Sequence, residues 1–399
     1  MKYYKYIILG AGPSGLSFAH TLKDHGETSF HVLEKEPVAG GLCRSEEVDG
    51  APLDIGGGHF LDLKRKDTLD LIFRFMPKSE WQEYKRISKI RIRGVEIDYP
   101  IEANLWQLPL NDQIDFLESI AQAGCIQGAA MPQTFEKWIL WKLGKLIAEE
   151  YMLPYNRKIW AIKLNKLGTY WLYKLPSVSF RETLQSCLEQ KPYGKLPAHA
   201  AFLYPKKYGY GEIWKRMGKA LGDQLLTSTP VSSIDIKDRI VNGIFKAEKI
   251  ITTIPWTQWL NITHLPESVT KRIEKLNYVS IDVDYKSETL PGNAQWIYDP
   301  DEKHTYHRIV CRNNFRKESR GYWTETNSRR SRAQDGWRYR NQYAYPVNTK
   351  DKPSSIAEIL RWGEKHRIIG LGRWGTWEHM NSDVAVSLGI QAAKQIMGI

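Results

Sequence analysis

The sequence predicts an α/β protein: a Rossmann-type nucleotide-binding domain assembled from discontinuous segments, with a helical insert and a mixed β-sheet region. Three observations carry this prediction. A strand, a glycine turn, a helix, a second strand and an acid follow one another within the first 34 residues. Apolar spacing turns helical from about residue 105 to 190, and a strand, a glycine turn and a helix close the chain. The divisions expected are a first nucleotide-binding part with the start of a second sheet at 1–104 and an insert at 105–195. A return to the nucleotide-binding domain at 196–270, a β-sheet region at 271–365 and a last nucleotide-binding segment at 366–399 complete them.

Tyr6-Ile7-Ile8-Leu9 is a short apolar run of the kind that forms a buried parallel strand. Gly10-Ala11-Gly12-Pro13-Ser14-Gly15 follows, and Leu16 to Lys23 reads as a helix. Gly10 permits the tight turn, Gly12 lets the backbone approach a pyrophosphate, and Gly15 lets the helix pack on the strand. Free N–H groups and the positive dipole end of the helix face the diphosphate. Phe30 to Glu34 is the second strand, and Glu34 is placed to accept hydrogen bonds from a ribose.

Asn111 is expected to cap a helix whose apolar face carries Ile114, Leu117, Ile120 and Ala121. Phe135, Trp138, Ile139, Leu143, Leu146 and Ile147 fall at spacings of three and four on another, a stripe that reads as core. Val231 to Ile236 and Lys249 to Ile254 return to strand-like runs. Ile368-Ile369-Gly370 reads as a last buried strand, with a closing helix from about Val384 to Met397.

Composition narrows the function classes. Of 399 residues 42% are hydrophobic, enough for a large core. Cys43, Cys125, Cys187 and Cys311 are scattered, which suggests neither a zinc site nor a disulfide framework, and no metal is expected. No stretch approaches the length of a membrane span, so none is expected, and a reducing cytoplasm is the simplest compartment. The net charge of +12 is partly concentrated between Arg312 and Arg340, where arginines interleave with Phe315, Tyr322, Trp323, Trp337 and Tyr339. Nucleic-acid binding, a solvated basic loop and attraction of a small anionic substrate are the three readings. No recognition motif accompanies the charge, so nucleic acid is not the expected partner.

Two features favour FAD over NAD. Gly40-Gly41-Leu42-Cys43-Arg44 supplies a second glycine pair soon after the ribose acid, and it resembles the second diphosphate loop of the flavin amine oxidase and mutase superfamily. Gly370-Leu371-Gly372-Arg373-Trp374-Gly375 joins the last strand to the last helix, where that superfamily lines the ribityl chain and flavin.

The resemblance then becomes specific. The chain is similar to the UDP-galactopyranose mutase family, closest to its eukaryotic branch, over nearly its whole length. The matching stretches begin with Asp54-Ile55-Gly56-Gly57-Gly58-His59, Arg86-Ile87-Ser88 with Tyr99-Pro100, and Pro154-Tyr155-Asn156-Arg157-Lys158-Ile159-Trp160-Ala161. Trp296-Ile297-Tyr298 with Arg308, Tyr345-Pro346, and Gly372-Arg373-Trp374-Gly375-Thr376-Trp377 complete them. The chain is shorter than the eukaryotic enzymes.

The resemblance implies FAD, active when reduced, held by Gly10, Gly12, Pro13, Ser14, Gly15, Glu34, Lys35, Gly41, Leu42, Gly57, Val231, Gly372, Arg373 and Asp383. It implies a nucleotide-diphosphate sugar bound by Tyr99, stacking on uracil, with Glu102, Asn156, Trp160, Trp296, Tyr298, Arg308 and Tyr345. Arg308, His59, Tyr298, Tyr345 and Lys174 are the residues it assigns to catalysis, Arg308 gripping the diphosphate as a planar multidentate donor. The reaction implied is interconversion of pyranose and furanose rings through an adduct between the sugar and N5 of reduced flavin, a form of covalent catalysis. Reduction would come from an external donor such as NAD(P)H, binding transiently because no second dinucleotide fingerprint is present.

Four departures from the family pattern lie where a substrate would sit. An extra glycine precedes His59, a second diphosphate arginine near residue 175 is missing with Lys174 the nearest cation, Glu102 stands in place of a glutamine, and His379 in place of a tyrosine. They leave the nucleotide and the sugar open. The competing reading is a flavin oxidase or desaturase of the amine oxidase superfamily, which shares the N-terminal unit.

Overall fold

The computed structural model describes residues 2–175, 178–194, 200–316, 319–333 and 335–399. In chain order, β1 (Lys2–Leu9), α1 (Pro13–Asp24) and β2 (Phe30–Leu33) lead into a hairpin of β3 (Ser45–Val48) and β4 (Ala51–Asp54). β5 (Leu61–Asp62), α2 (Lys66–Phe75), β6 (Trp81–Lys85), β7 (Ser88–Ile92) and β8 (Val95–Asp98) follow. The helical stretch comprises α3 (Ile101–Asn104), α4 (Leu110–Ala121), α5 (Phe135–Ile147), α6 (Leu153–Trp160) and α7 (Phe180–Glu189). Next come β9 (Ala201–Pro205), α8 (Gly211–Leu221), β10 (Leu225–Leu226), β11 (Ile234–Asp235), β12 (Ile240–Val241), β13 (Phe245–Thr252), α9 (Trp256–Trp259) and α10 (Glu267–Ile273). A run of strands, β14 (Tyr278–Lys286), β15 (Trp296–Tyr298), β16 (Arg308–Cys311), β17 (Tyr322–Asn327) and β18 (Arg338–Pro346), precedes α11 (Lys352–Lys365). β19 (Ile368–Gly370), α12 (Gly372–Gly375) and α13 (Ser382–Met397) end the chain.

Among the described residues the first sheet runs β10-β2-β1-β13-β12-β11, with β19 also paired to β13. Its central pairings are parallel and gather residues from both ends and the middle of the chain, the discontinuous Rossmann arrangement that the sequence predicts. Strand alternation sorts the core. Tyr6, Ile8 and Val32 pack with Leu16, Phe18 and Leu22 of α1, whereas Ile7, Leu9 and Leu33 pack with Trp256, Trp259 and Ile359 on the opposite face. The second sheet runs β18-β14-β17-β16-β15-β7-β8 and is antiparallel apart from the β15–β7 pair. No described helix is long and apolar enough to cross a membrane.

Three local expectations need correction. The cap of α4 is Pro109, and Asn111 lies inside the first turn. Its buried face is Gln113, Phe116 and Ile120, while Ile114 is 46% exposed. The Gln113 amide turns inward and donates to the carbonyls of Trp106 and Leu108 in the preceding turn. Only Ile234–Asp235 of the run from Val231 to Ile236 forms a strand. The stripe on α5 is core, but Gly144 interrupts the helix at φ 75°, ψ 172°, where α4 passes so close that a Cβ would lie 3.0 Å from Ile120 Cα.

α13 closes over α1 at Gly389, where a side chain would run into Ser17 Oγ and lie 2.6 Å from the Ser14 carbonyl oxygen. Replacing Gly389 by Val should therefore lower stability by about 1–3 kcal/mol through overpacking, read as a lower denaturation midpoint in urea.

Candidate functional site

Three turns converge on the head of α1. β1 runs into Gly10, the residue after its last, whose N–H donates to the Leu33 carbonyl at 2.8 Å. Gly15, one turn into α1, sits so close to the Gly10 carbonyl that no Cβ could fit. The second glycine turn docks on the first: Gly40 N–H donates to the Ala11 carbonyl at 2.8 Å. Gly41, at φ +54°, points its Cβ direction to within 3.4 Å of Gly12 Cα. The third turn reaches the same place, because a Cβ on Gly372 would meet Ser14 Oγ. Gly12 itself caps the helix and has nothing within 4 Å of its Cβ direction. The result is a cradle of backbone N–H groups, with Pro13, Ser14 and Leu42 on its walls, that a pyrophosphate fits and bulkier residues would fill.

Glu34 directly follows β2 beside this cradle. Its carboxylate is 5% exposed and accepts from the backbone N–H groups of Ala11 and Glu36, at 2.8 and 2.9 Å. Burial raises its pKa. The segment leading to Val231 runs alongside, Thr229 N–H donating to the Glu34 carbonyl at 2.8 Å. Lys35 lies at the rim, its side chain 58% exposed and 3.5 Å from Glu36. Asp383 stands in the first turn of α13 and pairs with Arg65 at 3.2 Å. These residues fit a dinucleotide with one diphosphate at the head of α1 and one ribose on Glu34.

The second sheet supplies the other half. Its register sets Tyr298 opposite Arg308, and Arg308 opposite Glu325. Arg308 and Glu325 form a bidentate pair, with Nη2 donating to Oε2 at 2.6 Å and to Oε1 at 2.8 Å and Nε to Oε2 at 3.1 Å. Glu325 is 1% exposed, so the guanidinium is its counter-charge in a place water does not reach. The Tyr345 hydroxyl lies 3.4 Å from the same Nη2. Arg86 brings a second guanidinium: it donates to the Tyr298 hydroxyl at 2.9 Å and lies 5.1 Å over the Trp296 ring. Tyr99 and Tyr155 pack on Tyr298 at centroid distances of 5.3 and 5.7 Å, which completes an aromatic wall beside two cations.

One turn joins the two halves. Gly57, at φ +89°, lies against the pair, its Cβ direction meeting the Glu325 carboxylate and coming within 3.4 Å of Arg308 Nη2. Gly56 abuts the Leu42 carbonyl of the second glycine turn. His59 follows, its Nδ1 3.1 Å from the Gly57 carbonyl and its ring stacked on Tyr210. Burial, then the charges of Arg373 and Arg308, push its pKa down to about 3, so the ring is neutral near pH 7. Arg373 donates to the carbonyls of Ala344 and Met380, at 2.8 and 2.6 Å, with its guanidinium 5.8 Å over Tyr345.

The remaining sequence candidates fall at differing depths. Asn156 and Trp160 bond to each other on α6 at 2.9 Å, and Asn156 also donates to the Met152 carbonyl. Trp296 is 2% exposed and packs beneath Gly58 and against Phe60 and Phe202. Glu102 lines a small cavity with Lys142, Leu143 and Phe180, and burial raises its pKa. Lys174 ends a short helix, Leu172–Lys174, and its side chain lies outside the described residues. Sequence reading gave no role to Arg86, Tyr155 or Glu325, although the first two lie inside stretches it singled out. Glu325 lies in the strand Tyr322–Asn327, and nothing local in that strand names its partner on the preceding one, Arg308.

Comparison with known proteins agrees with this layout. The family described as NAD(P)-binding Rossmann-like domain matches residues 8–75. A UDP-galactopyranose mutase of Mycoplasma pneumoniae is 23% identical over 171 residues, 41% of this chain and 42% of that protein. The chain spans about half the length of the curated relatives it matches, 49% and 42%. A crystal structure of reduced UDP-galactopyranose mutase superposes with a TM-score of 0.89 at 22% identity, covering 100% of this chain and 94% of that one. A putrescine oxidase bound to putrescine gives 0.64 at 15% identity with 100% of both chains covered. The resemblance seen in the sequence thus extends to the fold of the whole chain.

Glu325→Gln keeps the shape and removes the charge that Arg308 faces, which should cost about 1.5–3 kcal/mol in urea denaturation. Tyr345→Phe, losing one long contact, should cost under about 1 kcal/mol. The neutral ring of His59 has a pH signature. Between its ordinary value of 6.5 and about 3 the unfolded chain takes up a proton that the folded one refuses. Stability from this residue is complete above 6.5 and is lost as pH falls through that window, so His59→Gln should flatten the slope of unfolding free energy against pH there.

Proposed function

We propose that this chain is a flavin-dependent nucleotide-sugar mutase, interconverting pyranose and furanose forms of a UDP-galactose-like sugar. The observation that carries this reading is the turn Gly56 to His59, which brings the Arg308–Glu325 pair against the wall of the dinucleotide cradle. An anionic substrate gripped by Arg308 would therefore lie beside the reactive end of a dinucleotide seated on Gly12 and Glu34. FAD suits the cradle because three glycine turns, not one, meet at its head.

Reduced flavin supplies a nucleophile for the anomeric carbon of the sugar. The chain's own residues do the rest. Tyr99 offers a face to the nucleobase, and Arg308, with Arg86 behind Tyr298, answers the negative charge that grows on the departing diphosphate. Glu325 fixes the Arg308 fork in advance, so little reorganisation is left for the moment of bond cleavage. Neutral His59 adds no charge beside the flavin. Tyr298 and Tyr345 close the groove and keep water from the open-chain sugar. Glu102 in place of an amide leaves the nucleobase as the least fixed part of the substrate. An external reductant, NAD(P)H among the candidates, would keep the flavin reduced in a cytoplasmic setting, with galactofuranose for polysaccharide biosynthesis as the product.

An amine-oxidase reading shares the fold, but a tunnel for an apolar amine is hard to reconcile with a guanidinium pair at the groove's centre. Arg308→Ala should lower turnover of UDP-galactofuranose by about 10²–10³-fold, followed by chromatography of the nucleotide sugars, while the flavin absorbance of the protein is retained. Near-normal turnover in that variant would remove Arg308 from the chemistry and sink the assignment.

A further inference from the structure

The basic stretch from Arg312 to Arg340 is only partly used by the fold. Arg312 is 1% exposed and donates to the carbonyls of Val48, Ala51 and Arg320. Arg320 pairs with Asp49, Arg338 with Asp284 and Arg340 with Asp282. Arg329 and Arg330 are different. They line an open cleft with Arg157 and Lys163, and the cleft holds a single carboxylate, Glu136, among its lining residues. Among the described residues none of these four cations has an ion-pair partner within 4.0 Å. The cleft has a volume of about 660 Å³, with Ala161, Ile162 and Leu164 also in its lining.

Their convergence is built, not incidental. Asn327, the last residue of β17, donates its side-chain amide to the Ile159 carbonyl at 2.8 Å and so ties the strand end to the last turn of α6. Its side-chain oxygen accepts from Arg329 N–H at 3.0 Å, and its carbonyl from Arg330 N–H at 2.8 Å. Two segments far apart in sequence are thereby held with their positive side chains in one concavity. The negative dipole end of α6 accounts for Arg157 in its last turn. It does not call for two further arginines delivered from the end of a strand. Four like charges gathered around one acid repel one another unless an anion joins them.

We propose that this cleft is a second anion site, distinct from the Arg308 groove, and that it takes a di- or triphosphate group. Guanidinium forks bind phosphate oxygens in pairs, and a chain of two or three phosphates offers more charge and more oxygens to several cations than a single small anion does. The phosphates belong either to free inorganic oligophosphate or to a nucleotide, and the shared chemistry is recognition of the phosphate chain. The site does not depend on the mutase reading, because none of its residues belongs to that groove.

The test is calorimetric titration of inorganic triphosphate into the purified flavoprotein at low ionic strength, beside the double variant Arg329→Gln, Arg330→Gln. The expected result is loss of one binding equivalent, or its weakening by about tenfold or more, with any equivalent at Arg308 unchanged. Arg329→Lys, Arg330→Lys should retain a measurable part of the affinity, and the thermal midpoint of both variants should match the parent, since these side chains are not core. Salt near 0.3 M should weaken the site further. Tighter binding of ADP than of inorganic diphosphate assigns it to nucleotides, and equal binding assigns it to the free anion; both carry the proposal. Identical isotherms for parent and Gln variant, or no saturable binding by the parent, overturn it. Preferential capture of a short RNA over triphosphate, abolished by the same substitutions, also overturns it in favour of a nucleic-acid surface.

Discussion

The head of α1 is the constraint on which the rest of the molecule depends. Three turns from residues 10–15, 40–44 and 370–375 meet there at distances that leave no place for a Cβ on Gly15 or Gly372. The contact fixes more than a cradle. It ties β1 to β19 through β13, seats α13 on α1, and sets where the turn at Gly56 to His59 must emerge. A helix N-terminus left open at Gly12, with donors facing outward, is costly to bury without an anionic partner, so the same geometry that closes the fold also defines the ligand it fits.

The second dependence is electrostatic. Glu325 would be a buried acid without Arg308, and Arg308 would lose its fixed direction without Glu325. The pair stands in adjacent strands of a sheet whose residues come from positions 88 to 346, so its geometry is only as secure as the sheet register. Gly57 reads that register directly, because its Cβ direction points into the carboxylate. This is how a loop from the first 60 residues and a strand near residue 325 share one site.

Much of the Rossmann half was legible in the sequence, since strand, glycine turn, helix and acid are local signals with fixed spacing. Tyr6 to Leu9 and Ile368 to Gly370 lie within β1 and on β19, and the closing helix starts at Ser382, two residues before the expected Val384. The α4 cap was misread because Asn111 has the chemistry of a cap, yet Pro109 already stands at that position and starts the helix earlier. Ile114 looked like core by spacing, but the buried face turned toward Gln113, whose amide satisfies two carbonyls that spacing cannot see. Glu325 was illegible for a further reason: an ion pair across strands is a fact of register, and register is long-range. The charge between Arg312 and Arg340 divided in a way composition could not foresee. Asp49, Asp282 and Asp284 answer some of those arginines and leave Arg329 and Arg330 facing a cleft.

In the proposed reaction a reduced flavin and the Arg308 groove act on one substrate. Incubating the purified protein with UDP-galactofuranose, with and without dithionite, and separating the nucleotide sugars by chromatography tests it most directly. Conversion to the pyranose is expected only under reduction. A yellow protein that leaves this compound and other nucleotide-linked furanoses unchanged when reduced, yet consumes oxygen with an amine, would contradict it.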